Sequence, residues 1–311
     1  DRLRSRGLGD VYKRQTYSDD KFGESSWEKA ESFLQKSAVE LALKKADIDA
    51  SSINYIFAGD LLNQCISSTF GLRALGIPFL GQYGACSTMA QTISMASVFA
   101  DSFAADRCVA VTSSHFCSAE RQFRFPLEYG GQRTPTAQWT VTGSGAAIIQ
   151  RGGSGVKIKR ITIGRITDMG IKDANNMGAA MAPAAAQTIL DYFSDTKEKP
   201  QNFDLILTGD LGMVGKTLLL ELLEKEGLQI SRQHNDCGLM IFDINSQDVH
   251  AGGSGCGCSG SVFCSYVLQK MKNSEIKRVL FIATGALMSP TSAQQGESIP
   301  GVAHLIELES E

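Results

Sequence analysis

The sequence predicts an α/β fold made of two similar halves, and two internal repeats carry this prediction. An apolar strand that ends in Gly-Asp-Leu occurs at 54–61 and again at 203–211, 150 positions later. A turn of small residues that opens an apolar helix occurs at 84–88 and again at 255–259, with an offset of 170 between Cys86 and Cys256. In each half a strand follows this helix, so strands and helices alternate as they do in parallel α/β sheets.

Each predicted element has a local reason. The first helix, 27–45, carries apolar residues on one face and ends in a lysine pair that suits the negative end of the helix dipole. Each small-residue turn is predicted to begin a helix. The first of these helices runs to about residue 105 and the second to about residue 271. The Met- and Ala-rich segment 177–186 is either a flexible lid or the lead-in to a helix at 187–193, and we favour the lead-in. Short apolar runs predict the remaining elements: strands at 107–112, 145–150, 238–243, 278–283 and 302–307, and a helix at 218–225.

The glycine-rich segment 152–155 is the predicted boundary between the halves. The N-terminal half is therefore 16–153 and the C-terminal half is 154–311. Residues 1–15 carry five Lys or Arg and have no apolar period, and they resemble translated sequencing-adaptor sequence. We expect this segment to be non-native and exclude it from the fold prediction.

Composition and motif spacing exclude several classes of function. A net charge of −3 offers no basic surface for nucleic acid or for anionic lipid. No apolar run reaches the roughly 18 residues that span a bilayer, so membrane association is expected only through a partner. Eight cysteines without Cys-x-x-Cys spacing predict reduced thiols, and Cys256-Gly-Cys258 is too tightly spaced for a zinc site. Lys216 lies in a Gly-Lys-Thr sequence, but Asp210 stands where a phosphate-binding loop needs glycine, so we expect neither a metal nor a cofactor.

Cys86 is the candidate nucleophile. It lies in the small-residue turn that opens the first-half helix, where unpaired N–H groups and the helix dipole lower a thiol pKa from about 8.5. A thiolate there is suited to a covalent acyl intermediate. The alternative is a small buried residue that packs the start of a helix. The offset of 170 places Cys256 at the corresponding position in the second half.

Turns of this kind in both halves, with a cysteine at the first, resemble the thiolase superfamily. Three longer motifs, at 58–64, 112–143 and 248–259, resemble the stage V sporulation protein AD (SpoVAD) family. The resemblance runs from about residue 24 to the end. It implies a thiolase-like five-layer αβαβα architecture of two pseudo-repeated halves. The family's N-terminal segment, which carries a first strand, does not precede these motifs, so one strand of the first sheet is expected to be missing.

The resemblance also implies which catalytic groups to seek. Condensing enzymes of the superfamily use a cysteine, a histidine and an asparagine or second histidine to stabilise an enolate or oxyanion. Asp210 stands where the histidine would follow the first strand of the second half. The family's asparagine-bearing turn corresponds to 253–256, which has no amide side chain. We therefore predict a degenerate active site with no catalytic residues, and the alternative is an active condensing enzyme or acyltransferase that uses Cys86.

The predicted ligand-binding residues lie at turns and in one loop-like stretch. His115 follows the strand 107–112, at the end where α/β sheets place their ligand sites. Three arginines are interleaved with aromatic residues, a combination that suits carboxylates and a planar ring, although a surface or dimer patch is an equal alternative. The predicted set is Cys86, His115, Arg121, Arg124, Arg133, Asp210 and Cys256.

The SpoVAD resemblance implies a ligand and a location. The ligand is dipicolinic acid (pyridine-2,6-dicarboxylic acid), free or as its calcium chelate, which is loaded into spores and released at germination. The implied partners are other SpoVA proteins at the spore inner membrane, where this chain would be peripheral. Thiolase-fold proteins usually dimerise, so a homodimer is expected. A scaffold with an empty pocket is a further alternative.

Overall fold

The computed structural model describes residues 17–123 and 133–310. The predicted non-native segment 1–15 and Arg124 lie outside the described residues. Within these ranges, none of the helices is long and apolar enough to cross a membrane.

The first half contains a mixed sheet of four strands. In spatial order the strands are β2 (Phe79–Gly81), β1 (Tyr55–Gly59), β3 (Arg107–Ser114) and β5 (Gly143–Gln150). β1 pairs in parallel with β2 and β3, and β3 pairs antiparallel with β5. In the described part of the chain β2 and β5 form the two edges of this sheet.

The second half repeats this arrangement with a fifth strand beyond the closing one. Its spatial order is β6 (Lys157–Thr162), β11 (Gly301–Glu309), β10 (Arg278–Ala286), β7 (Leu205–Thr208) and β8 (His234–Asp236). β10 corresponds to β3, and β11 corresponds to β5, because each closing strand is antiparallel to its neighbour. The duplication predicted from the sequence therefore appears as two sheets of like connectivity. A two-stranded parallel ribbon, β4 (Trp139–Thr140) with β9 (Gly253–Ser254), joins the halves.

The helices form three layers around the two sheets. In chain order they are α1 (Trp27–Ala46), α2 (Ile66–Leu72), α3 (Thr88–Asp101), α4 (Phe116–Phe123), α5 (Met177–Thr196), α6 (Gly212–Lys225), α7 (Cys237–Met240), α8 (Cys256–Val262), α9 (Leu268–Lys272) and α10 (Pro290–Gln294). α1 and α2 cover the outer face of the first sheet, and α5 and α6 cover that of the second. α3 and α8 lie between the sheets, where α3 contacts strands of both, so the layers run αβαβα.

The core follows these layers. Between the sheets, buried side chains of α3 and α8 meet the inner faces of both sheets, and the rings of Phe263 and Phe281 lie 4.7 Å apart. On the outer side of the first sheet, Val39 and Leu43 of α1 pack on Val109. Burial of these apolar surfaces provides the main stabilisation of the layered fold.

Several predicted elements differ from the structure. The predicted strand 238–243 is wrong, because the chain forms the short helix α7 there and then inserts Ile241 and Phe242 into the core as irregular backbone. Segment 177–186 is neither a lid nor a lead-in but the first half of α5, whose N-terminus is capped by the Asn176 side chain. The predicted helix to residue 271 is interrupted by one π-helical turn, Phe263–Val267.

Candidate functional site

Cys86 lies in a tight turn between β2 and α3. Ala85 adopts a positive φ of 50°, and the side chains of Ser87 and Thr88 donate hydrogen bonds back to the carbonyls of Gly84 and Ala85. These contacts fix the turn immediately before the helix and leave the Cys86 side chain 5% exposed. The predicted position at a helix N-terminus is therefore confirmed.

Asp210 faces this cysteine from the second half. It follows β7, and its carboxylate accepts hydrogen bonds from the Gly255 N–H at 2.8 Å, the Thr284 hydroxyl at 2.9 Å and the Ser254 hydroxyl at 3.2 Å. The Asp210 carboxylate also lies close enough to the Cys86 thiol to influence its pKa. The Gly-Asp-Leu turns and the small-residue turns of the two halves thus lie close together. The structure brings Cys86 and Asp210 together across the interface of the halves.

Asp236 holds the backbone that carries Asp210. It ends β8 and is fully buried, and its carboxylate accepts from the N–H groups of Leu211 and Gly212 at 2.9 and 3.0 Å. The Thr208 hydroxyl donates to the same carboxylate at 2.7 Å. Sequence reasoning missed Asp236, because a single acid outside a motif gives no signal of this role.

The electrostatics of the pair contradict the expectation for the thiol. Burial, reinforced by the neighbouring Asp210 charge, raises the pKa of Cys86 well above its usual value. The helix N-terminus does not compensate, because desolvation of a buried thiolate outweighs a partial dipole charge. Burial likewise raises the pKa of Asp210 to about 6 and that of Asp236 to about 7. Cys86 is therefore protonated at neutral pH.

A pocket opens above Cys86. It encloses about 480 Å³ of space, including its open mouth, and combines apolar walls with a few hydroxyl groups and one carboxylate. Its lining residues are Leu61, Tyr83, Ala85, Cys86, Ala119, Glu120, Phe123, Thr140, Met177, Ser254, Ala286 and Met288. Both halves contribute to the lining, so the pocket lies where the two repeats meet.

The structure does not bring His115, Arg121, Asp210 or Cys256 into the lining, and Asp210 is fully buried beside Cys86. The His115 ring is fully buried, contacts the Asp20 carbonyl at 2.8 Å through Nε2, and has a pKa that burial lowers. Arg121 is half-exposed and pairs with Glu28 of α1. Cys256 is buried below the pocket, where its thiol donates to the Ser113 carbonyl at 2.9 Å.

The chain's other histidines also lie away from the pocket lining. His234 contacts the Thr208 hydroxyl, His250 contacts the Thr134 carbonyl, and His304 accepts from the Gly164 N–H. Over residues 17–123 and 133–310, no group of three or more His, Cys, Asp or Glu side chains could hold a metal ion.

Glu120 is the charged residue among the described lining residues of the pocket, and no sequence pattern indicates it. It lies on α4 and is 5% exposed, and Nη1 of Arg133 approaches its Oε1 to 3.7 Å. The Arg133 guanidinium lies 4.7 Å from the centre of the Trp139 ring and also donates to the Gln138 carbonyl. The structure thus places Arg133, one of the predicted binding residues, beside the pocket. The Glu120 carboxylate lies between Arg133 and the pocket interior.

A second buried acidic pair lies beneath the first half of the site. Glu31 of α1 accepts from the hydroxyls of Ser113 and Ser118 at 3.0 and 2.7 Å. Burial, with a further contribution from the neighbouring charge of Asp60, raises the pKa of Glu31 to about 8. Burial also raises the pKa of Asp60.

These raised pKa values predict that stability falls as pH rises. Glu31, Asp210 and Asp236 bind their protons more tightly in the folded state, so between about pH 4.5 and 8 these three carboxyls hold more protons in the folded than in the unfolded state. We expect the melting temperature to drop by about 5 °C or more from pH 6 to 9. Calorimetry of Glu31→Gln should give a flatter profile at the alkaline end, whereas Glu40→Gln, on the exposed face of α1, should match the wild type. Parallel profiles for wild type and Glu31→Gln would contradict this assignment.

Comparisons with known proteins agree with the architecture. The chain superposes on "AbyA1 - tetronic acid condensing enzyme" with a TM-score of 0.60 and 14% identity, over 90% of this chain and 86% of that one. It superposes on 3-oxoacyl-[acyl-carrier-protein] synthase III of Aquifex aeolicus VF5 with a TM-score of 0.57 and 13% identity, over 89% and 84%. For cerulenin-bound OleA of Xanthomonas campestris the TM-score is 0.61 at 12% identity, over 90% and 81%. At such identities the likeness establishes the fold alone, and the predicted thiolase-like fold is confirmed.

Sequence comparison identifies the family. The profile of Stage V sporulation protein AD (SpoVAD) matches residues 6–309. Over 302 residues the chain is 45% identical to the Stage V sporulation protein AD of Bacillus subtilis (strain 168), which covers 97% of this chain and 89% of that protein. The chain therefore belongs to the SpoVAD family of sporulation proteins, with a thiolase-like fold.

Proposed function

We propose that this chain is a non-catalytic thiolase-fold protein that binds dipicolinic acid, free or as its calcium chelate, for uptake into and release from spores. The observation that carries the proposal is a pocket between the two halves whose lining includes the Cys86 thiol, with the fully buried carboxylate of Asp210 beside that thiol. The alternative is an active condensing enzyme or acyltransferase that uses Cys86.

Two physical reasons favour binding over condensation. First, the acylation step needs a thiolate, and both burial and Asp210 raise the pKa of Cys86. Second, an enolate or oxyanion above Cys86 needs hydrogen-bond donors, whereas an ionised Asp210 would repel it. Tyr83, Thr140 and Ser254 supply hydroxyl groups to the lining, but imidazole and carboxamide groups are not among the described lining residues.

The pocket suits a small planar dicarboxylate. Leu61, Phe123 and Met288 supply apolar surface for a ring, and the Tyr83 hydroxyl supplies a donor for a carboxylate oxygen. The hydroxyls of Thr140 and Ser254, which donate to Glu120 and Asp210, can rotate to supply two more. Each charge-assisted hydrogen bond contributes about 1.5–3 kcal/mol, so two or three of them are sufficient for roughly micromolar affinity after entropy losses.

Calorimetric titration tests this proposal. The purified chain should bind dipicolinate saturably, with and without equimolar Ca²⁺. Isophthalate, which has the same two carboxylates but no ring nitrogen, measures how much the pyridine contributes. If neither compound saturates the protein, the proposal is wrong.

A Cys86→Ala variant separates binding from catalysis. We expect it to fold, with a melting temperature within about 4 °C of the wild type, because the thiol lines a pocket and its removal costs roughly 1 kcal/mol. It should retain dipicolinate binding within a few-fold, because the ligand forms no bond to sulfur.

Intact-mass spectrometry of the wild type after incubation with acyl-CoA should show no stable adduct. The variant controls for acylation of the other seven cysteines. An adduct that is present in the wild type and absent in Cys86→Ala would favour the condensing-enzyme alternative. Unfolding of the variant would make Cys86 a core residue.

We also propose a homodimer that acts at the spore inner membrane through other SpoVA proteins. What supports the dimer is the edge strand β2, on which Phe79 and Leu80 are both exposed, and the neighbouring Tyr83, which is exposed and also lines the pocket. Light scattering should give a mass near twice the 33.5 kDa of one chain. A monomer mass at micromolar concentration would contradict the dimer.

A further inference from the structure

We propose that Glu120 is an internal counter-ion for Arg133, and that a carboxylate of the ligand replaces it when the pocket is filled. This inference rests on the proposed function, because it assigns the residue that recognises the dicarboxylate. The charge of Glu120 would then lower the affinity for free dianions, and Arg133 would supply the contact that binds them.

The position of Glu120 is the first support. It projects from α4 into the pocket lining while remaining almost fully buried. Its Oε1 lies 3.7 Å from Nη1 of Arg133 and accepts a hydrogen bond from the Thr140 hydroxyl at 3.4 Å. Charge-assisted hydrogen bonds are shortest and strongest near 2.7–2.9 Å, so this ion pair is looser than one that a well-placed carboxylate can form. An incoming anion would also be repelled by Glu120 unless that side chain moves.

The second support is that Arg133 is held in place independently of Glu120. Its guanidinium lies over Trp139, and the rings of Trp139 and Phe116 stack with centroids 4.1 Å apart and planes at 12°. One Nη atom donates to the Gln138 carbonyl. A guanidinium that is already oriented by an aromatic face and a backbone carbonyl loses little conformational entropy when it binds a carboxylate. A lysine ammonium lacks this planar, preoriented geometry.

The third support is the link between Arg133 and the floor of the pocket. Gln138 is the residue whose backbone carbonyl accepts from Arg133. Its side-chain amide nitrogen donates to the backbone carbonyl of Asp210 at 2.7 Å and to that of Gly253 at 2.9 Å. The anchor of Arg133 is therefore part of the same framework as the turn behind Cys86. A ligand that contacts both the Cys86 end of the pocket and Arg133 would therefore bind to one connected framework.

The predicted effects of substitution have opposite signs. Glu120→Gln keeps the shape and the contact with Thr140 but removes the competing charge, so affinity for free dipicolinate should rise about tenfold. Arg133→Lys removes the planar fork and should lower affinity at least tenfold. Glu120→Asp keeps the charge but withdraws it from Arg133, so its affinity should lie between those of the wild type and Glu120→Gln. Arg121→Lys, in the exposed pair with Glu28, should bind as the wild type does.

Trp139 provides the readout. The chain has two tryptophans, Trp27 and Trp139, so a Trp27→Phe background leaves only the indole beneath Arg133. Emission is recorded during titration with dipicolinate, and separately with the monocarboxylate picolinate, in metal-free buffer at pH 7.5. Thermal melts establish that each variant is folded, and Glu120→Asp replaces Glu120→Gln if the latter does not fold.

The outcomes separate this inference from the proposed function. If the wild type binds dipicolinate, affinity rises in Glu120→Gln and falls in Arg133→Lys, the inference is supported. If the wild type binds but affinity in the folded Glu120 and Arg133 variants is unchanged, or Glu120→Gln binds more weakly, the inference is overturned and the proposed function stands. If the wild type does not bind at all, the proposed function itself fails.

Discussion

Glu307→Ala is expected to destabilise the protein by about 3 kcal/mol, among the largest effects of a single substitution in this chain. Glu307 lies on β11 with no exposed surface, and three donors surround its carboxyl group. Its carboxylate accepts from Arg160 of β6 at 2.6 Å, from Arg278 of β10 at 2.7 Å and from the Tyr192 hydroxyl of α5 at 2.8 Å. Removal leaves two guanidinium groups and a buried hydroxyl without this acceptor.

Urea denaturation of the variant should show the midpoint shifted with an unchanged slope. The matched control is Glu309→Ala, two residues further along the same strand, where the exposed pair with Lys159 contributes about 0–1 kcal/mol. Glu307→Gln should fall between the two, because it retains one oxygen acceptor for Tyr192. A loss below about 1 kcal/mol for Glu307→Ala would contradict the role assigned to this cluster.

Gly285→Ala is expected to cost about 3 kcal/mol and to displace the turn that carries Cys86. A Cβ at this position of β10 would lie 2.3 Å from the Gly84 carbonyl oxygen and 3.1 Å from the Ser87 nitrogen. Both neighbours are backbone atoms of the Cys86 turn, so they cannot yield by a side-chain rotation. We expect a lower melting temperature by about 6 °C or more and weakened dipicolinate binding, measured by calorimetry on the same preparation.

The control for Gly285 is Gly81→Ala in β2. Its Cβ would meet the Phe79 ring at 3.1 Å, and that exposed side chain can rotate away. Its stability should therefore change by less than about 1 kcal/mol. Equal effects at the two positions would show that the Cys86 turn is not constrained by the second sheet.

The sequence predicts the buried elements of this fold better than its edges. β3 and β10 have continuous apolar runs because helices cover both faces, and such runs are recognisable. β6 carries Lys157, Lys159 and Arg160 on a mostly exposed edge, so its pattern has no apolar signal. The false strand at 238–243 has the opposite cause, because Ile241 and Phe242 are apolar but reach the core from irregular backbone.

For the candidate site, local sequence predicts position but not environment. The repeated turns place Cys86 and Asp210 correctly, and the structure joins them. The direction of the Cys86 pKa shift was wrong, because burial and the Asp210 charge come from the fold rather than from the helix end. His115 was assigned to a ligand site because it follows a strand, whereas Asp20 and Trp27 from a distant segment enclose it. Glu120 has no signal in the local sequence, because its place in the pocket wall depends on how α4 packs.

A crystal structure of the chain at saturating dipicolinate tests the central claim most directly. We predict the ligand in the pocket above Cys86, with its ring between the apolar walls from both halves, an unmodified sulfur and the thiol still beside Asp210. A pocket that stays empty while the ligand binds elsewhere, or a ligand-competent state in which Cys86 has left Asp210 to act as a nucleophile, would contradict the account.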